Sequence, residues 1–401
     1  MPSRRNVLLG VGAASTAAVA DCLGSRTDEP GTDDDYAWST VGADRRNSRA
    51  IPDGVAPRDE PDVEWRVDLE SATAMGEPIV TDDTVVVNTG LDVVAFDRET
   101  RDRRWSIDPE NDVYSYNGAP TVFGGTVYVP EREVLTARDL ESGEVDWSVQ
   151  LDYPISRSSP VVTDTDDGRV YVAAGNAAYA LDADSGDELW EQELLGIARY
   201  ALAKYADWLF VATRGGELHR ISRWEGRVEW RRTIEAGISS APIVLTSDDR
   251  RRGHGVAVAG DDGSITYFDI SGEREWRTEL SAFGNDGLAV GHRSLLARSG
   301  STLYALDAND GDERWRADIG HTSRNPPILV GDTVYVGGDR LRALDVGGGY
   351  GIRSLRIGEQ RFEREETGDV NYVTAADGKL FVTTDVGRFE GDDTAELLVL
   401  S

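Results

Sequence analysis

From residue 61 onward, apolar and polar positions alternate in short runs that break at Asp, Ser, Thr and Gly, the pattern of short β-strands joined by tight turns. One phrase recurs along these runs. An apolar strand ends in Ala/Phe-x-Asp, a short turn usually containing Gly follows, and the next strand carries Trp. The phrase runs from Ala95-Phe96-Asp97 to Trp105, from Ala137-Arg138-Asp139 to Trp147 and from Ala180-Leu181-Asp182 to Trp190. It continues from Arg220-Ile221-Ser222 to Trp230, from Tyr267-Phe268-Asp269 to Trp276 and from Ala305-Leu306-Asp307 to Trp315. A degenerate seventh copy runs from Ala343-Leu344-Asp345 to Leu355, where leucine is expected to take the tryptophan position. Counting Trp65, which no phrase precedes, the tryptophans are spaced by 40, 42, 43, 40, 46 and 39 residues.

Repeats of this length, each holding four short strands, predict propeller blades. The ends decide the blade count. Trp65 sits in an isolated strand, whereas the chain finishes with three strands near Val370–Val373, Leu380–Thr383 and Glu396–Leu400 that lack a tryptophan strand of their own. Joined, they make an eighth blade with no open edge at the seam. The expectation is therefore an all-β, eight-bladed β-propeller with four-stranded antiparallel blades, its ring closed by the N-terminal strand joining the C-terminal blade, as one domain over residues 37–401. Trp65, Trp105, Trp147, Trp190, Trp230, Trp276 and Trp315 are expected to wedge between neighbouring blades, and the Asp and Gly of each phrase to shape the turn.

Composition narrows the function. Acidic residues exceed basic ones by 73 to 42, giving a net charge of −31, which excludes a surface built to neutralise nucleic-acid phosphates. An acidity of this kind reads as a solvating carboxylate shell for work in concentrated salt, haloarchaeal in character. Disorder is set aside, because 39% hydrophobic residues and ten tryptophans suffice for a large core.

The N-terminus carries Arg4-Arg5 ahead of an uncharged, small and apolar run from Val7 to Ala20, too short to span a bilayer as a mature helix. It reads as a twin-arginine signal peptide over residues 1–22. Cys22, the sole cysteine, follows that run in a lipobox-like position, with Asp21 where a small residue is usual. Two readings stand: Cys22 is lipidated, or it is an incidental thiol. Residues 23–36, rich in Asp, Gly and Thr, read as a flexible acidic tether. The implied location is the extracellular face of the cytoplasmic membrane.

The phrase Ala-x-Asp-x-x-Ser/Thr-Gly-x-x-x-Trp, as in Ala180 to Trp190, resembles the tryptophan-docking motif of the quinoprotein (PQQ-like) propeller family. Trp38, Gly42, Asp44 and Asn47 are similar to the segment preceding the first blade in many members. The resemblance implies one of two functions. Quinone-dependent dehydrogenases of the family hold PQQ and Ca²⁺ near the axis with a cysteine pair that this chain lacks, and Asn285-Asp286 and Asn325 read as ordinary loop residues. The BamB-like lipoprotein branch binds a partner and catalyses nothing, and the single cysteine and candidate anchor match it. No catalytic residue and no cofactor, PQQ included, is expected. His219, His254, His292 and His321 show no metal-ligand spacing, so no metal is expected either.

A propeller binds at the mouth of its channel, on the loops entering the innermost strands. Those loops carry Tyr114, Tyr116, Tyr153, Arg157, Arg199, Tyr200, Arg324, Asn325 and Tyr372. Tyr and Arg are the types that anchor interfaces. Again two readings stand: the cluster docks an acidic or extended peptide of a protein partner, or its rings plug the channel and its arginines pair with nearby carboxylates. The remaining expectations are a monomer that meets the membrane through its lipid, and a purely structural envelope element as the third functional class.

Overall fold

The computed structural model describes residues 38–71, 73–107, 118–163, 168–280, 287–320, 326–352, 355–385 and 394–401. Cys22, Tyr114, Tyr116, Arg324, Asn325 and His321, with the leader and tether, lie outside the described residues.

Among the described residues, thirty-two of thirty-five strands build an eight-bladed ring of four-stranded blades. Blades 1 to 6 take consecutive strands from Ile79–Val80 to Glu313–Asp318, and blade 7 spans Ile328–Val330 to Gln360–Arg364. Blade 8 joins Asp369–Ala376, Lys379–Asp385 and Glu396–Leu400 to Val63–Asp68, with Trp65 opposite Val399. The seam is thus closed by antiparallel pairing of the first outer strand with the last.

Each blade's middle strands lie between two neighbouring blades, so both of their faces are covered. Thr84–Asn88 and Gly255–Ala259 are buried at every position. The outer strand has one face to solvent and alternates instead, as in Val63–Asp68 and Val145–Gln150. In all eight blades a bulge in the outer strand sits just before the large aromatic residue. It bends the outer strand and increases its local twist.

The tryptophans bind forward to the next blade. Trp105, Trp147 and Trp190 donate from Nε1 to the carbonyls of Leu140, Ala183 and Arg223 at 2.8, 2.8 and 3.0 Å. Trp230 and Trp315 reach the carbonyls of Ile270 and Val346 at 3.2 and 2.9 Å. Trp276 Nε1 is buried with no acceptor among the described residues. Each indole lies under the turn glycine of that next blade, so closely that a Cβ on Gly143, Gly186 or Gly226 would stand 2.7–2.8 Å from the ring.

Blade 7 corrects the sequence expectation. Phe362, not Leu355, pairs opposite Ala343 in the tryptophan register. A small hairpin, Tyr350–Ile352 with Leu355–Ile357, is inserted between the third and outer strands, and Asp345 N bonds Glu359 O across its base at 2.7 Å.

Two faces result. The upper face carries the loops that lead from one blade's outer strand to the next innermost strand, with the turns between second and third strands. The lower face carries the other turns, including the Asp-Gly turns.

Candidate functional site

The axis is closed by the chain itself. Residues 38–51 circle inside the ring and accept hydrogen bonds from the innermost strands in turn. Val80 N bonds Trp38 O, Val122 N bonds Ser39 O, Lys204 N bonds Arg45 O and Val244 N bonds Arg46 O, at 2.7–3.0 Å. Val290 N and Leu329 N then bond Ser48 O and Arg49 O at 2.9 Å each. Asn47 Nδ2 donates to the carbonyls of Leu202 and Pro242 at 3.2 and 2.9 Å, bridging blades 4 and 5. Gly42, Ala43, Asn47 and Arg49 all take positive φ, which lets so short a segment turn through most of a circle.

This hub is clasped by one buried carboxylate. Glu77 accepts from Trp38 Nε1 at 3.1 Å and Gly42 N at 3.0 Å, and pairs with the buried Arg49 guanidinium. Arg46 bridges Asp44 and Asp249 at 3.1 Å each. Burial pushes the Asp249 carboxyl up, and Arg46 pulls the other way. Tyr372 lies on the innermost strand of blade 8 rather than on a loop, and its amide donates to Thr383 Oγ1.

The channel floor therefore belongs to the hub, and the open surface of the upper face lies on its rim. Over blades 3 and 4 the predicted Tyr153, Arg157, Arg199 and Tyr200 come together on one ledge. Gly175 N bonds Pro154 O at 3.0 Å, Ala198 N bonds Gly175 O at 2.7 Å, and Arg214 N bonds Ile197 O at 2.8 Å, so the loops form one continuous backbone platform. Tyr153 packs over Gly175, where a Cβ would stand 2.5 Å from the tyrosine's own. Leu194 and Ile155 are buried beneath and fasten the ledge to the core.

The sequence reading missed its apolar centre. Leu195 and Ile197 are 55% and 58% exposed, on the same loop platform as the exposed Arg157 and Arg214 and the half-buried Arg199. Among the described residues no carboxylate pairs with these three arginines, in contrast to Arg104 or Arg361, each of which holds two aspartates. Below, burial pushes the His219 imidazole under its ordinary value, and Arg231 acts in the same direction, so His219 stays uncharged at neutral pH. His254 bonds the Tyr205 hydroxyl at 2.9 Å and His292 bonds Gly331 O at 2.8 Å, each as a local brace.

The chain has one cysteine, no three His, Cys, Asp or Glu side chains converge among the described residues, and Glu77 is fully engaged by the hub.

Known proteins share this fold. BamB of Bordetella pertussis is 25% identical over 250 residues, 56% of this chain and 63% of that protein. The serine/threonine-protein kinase AfsK of Streptomyces griseus is 28% identical over 189 residues, 44% of this chain and 23% of that protein. The chain thus spans less than two thirds of the length of these curated relatives. Among solved structures, BamB from Moraxella catarrhalis superposes with a TM-score of 0.65 at 17% identity, covering 85% of this chain and 99% of that one. Quinohemoprotein alcohol dehydrogenase from Comamonas testosteroni gives 0.72 at 14% identity, covering 90% and 80%. At such identities the likeness is one of fold. A family model described as outer membrane protein assembly factor BamB matches residues 58–178 and 177–390, nearly the whole ring, and the chain belongs to that family of PQQ-like propellers.

Proposed function

We propose that this chain is an exported, lipid-anchored and non-catalytic propeller that binds a protein partner through the upper ledge of blades 3 and 4. The observation that carries the reading is an exposed Leu195–Ile197 pair sharing a platform with three arginines that no carboxylate of the described chain neutralises, on a molecule of net charge −31. Many of the other arginines are held in internal pairs, as Arg104 and Arg361 are. Here arginine stands free on one platform with apolar side chains, the combination that anchors an amphipathic acidic segment. The relatives named as assembly factors of the outer membrane support a protein partner in kind. Export by Arg4-Arg5, anchoring at Cys22 and residence on the outer side of the cytoplasmic membrane belong to the same proposal.

The test is differential crosslinking in native envelopes. Leu195→Asp with Ile197→Asp should abolish a crosslinked species that forms with the unaltered chain, and Arg157→Ala with Arg199→Ala should weaken it more at low salt than at high salt. Equal capture by all variants would overturn the ledge as the site. Dye-linked alcohol oxidation that appears on adding PQQ and Ca²⁺ would replace this reading with an enzymatic one.

A further inference from the structure

The hub fixes how the molecule is polarised. Trp38 forms an antiparallel bridge with Val80. Ala50–Ile51 instead runs parallel to the innermost strand of blade 7, pairing with Leu329 and Val330. Innermost strands descend from the upper to the lower face, so the chain enters the hub from below at Trp38 and leaves it below at Ile51.

The same lower face carries the three most exposed large apolar side chains of the described molecule. Val55, just past the hub exit, is 75% exposed. Tyr350 and Ile357 are 88% and 80% exposed and stand directly opposite each other on the inserted hairpin of blade 7. Between the hub exit and blade 8 opens a cavity of about 450 Å³ walled by Ile51, Val55, Val330, Ala375 and Ala376. Across the ring on this face Trp224 is 43% exposed, with the Arg223 and Arg169 guanidinium carbons 3.9 and 5.0 Å from its ring centre. A Trp and a Tyr with aliphatic neighbours, spread over one side of a disc, match a water–hydrocarbon boundary.

We propose that the lower face is the side of the ring that rests on the lipid surface, so that the ledge of the upper face points outward; this rests on the anchored reading given above. Fifteen residues separate Cys22 from Trp38. If they behave as a random chain, their root-mean-square reach is about 20 Å. A blade of four strands is about 15 Å wide and a six-residue strand about 20 Å tall, so a path from the axis around the rim to the upper side is roughly 35 Å. The chain's point of entry on the axis therefore favours the lower face toward the anchor. The Asp-Gly turns also make this face acidic, so its attraction is apolar, and contact with anionic lipid strengthens as salt screens the repulsion, with a Debye length of about 3 Å at 1 M.

The full-length mature protein, reconstituted through its anchor into phosphatidylcholine/phosphatidylglycerol vesicles containing nitroxide-labelled lipid, provides the test. Fluorescent labels on Ile357→Cys or Val55→Cys should be quenched several-fold more than a label on Leu195→Cys, and more so in high salt, with the unaltered chain as control for Cys22. Tyr350→Asp with Ile357→Asp should leave the protein vesicle-bound and relieve quenching at position 55. Quenching at 195 equal to or above that at 357 would overturn the orientation alone. Failure of the mature protein to stay with the vesicles would overturn the anchor, and the orientation with it.

Discussion

Gly143 sits at φ +74 with a virtual Cβ 2.8 Å from Trp105, so both backbone and space demand glycine there. Gly143→Ala should cost about 1–3 kcal/mol, read as a lower denaturation midpoint. Blade 1 offers the converse, since Arg101 takes φ +70 at the matching turn position, its amide bonded to Asp97 O as Gly143 N is to Asp139 O. Arg101→Gly should therefore stabilise by about 1 kcal/mol in the same measurement. The turn aspartates predict an acid limb. Ser142 and its own backbone hold Asp139 below the usual carboxylate range, and hydrogen bonds from Arg361 bring Asp332 down to about 2. With folded values depressed, their stabilisation is complete above about pH 4 and is lost as pH falls through the folded values. Thermal melts between pH 5 and 2 should show that decline, and Asp332→Asn should make it shallower. The Asp, Gly and Trp roles were readable because each repeats at a fixed offset. The bulge before each tryptophan was not, since it leaves no residue signature of its own.

At the scale of elements, the hub and the ledge part company in legibility. Trp38, Gly42, Asp44 and Asn47 could be picked out as a conspicuous group, but their circular path depends on positive φ at Ala43 and Arg49, residues that do not advertise it. Leu355 was misassigned because a hairpin insertion displaced the true aromatic position by seven residues, to Phe362. Of the mouth residues, Tyr153, Arg157, Arg199 and Tyr200 fall on loops between strands as the pattern predicts, whereas Tyr372 lies within a strand. Which of Leu194, Leu195 and Ile197 faces water was decided by Gly196 at φ +94, and a run of apolar letters cannot show that. The hub makes its own prediction. Glu77→Ala leaves the Arg49 guanidinium buried without its partner, and should cost about 3–5 kcal/mol, whereas Glu77→Ala with Arg49→Met should recover part of the loss. Urea midpoints of the two single variants and the double variant measure it.

The ring as a whole is held at a seam where Val63–Asp68 pairs with Glu396–Leu400 and one buried cluster runs from Trp65 through blades 8 and 1. Trp65→Ala should lower stability by about 3–5 kcal/mol, and deletion of residues 61–69 should replace one cooperative melting transition by a broader, lower one in calorimetry. The seam was legible from the two incomplete ends. The tie of the other blades to the hub was not, because the bonds join residues up to some 280 positions apart, as from Leu329 N to Arg49 O. That distance in sequence has a consequence for synthesis. A ribosome makes Trp38 to Ile51 before any blade they serve, and makes the strand that completes blade 8 last. The nascent chain therefore carries an unclosed arc, with bare strand edges, until Leu400 has cleared the exit tunnel. Whatever shields those edges during translation decides how much protein reaches the native state.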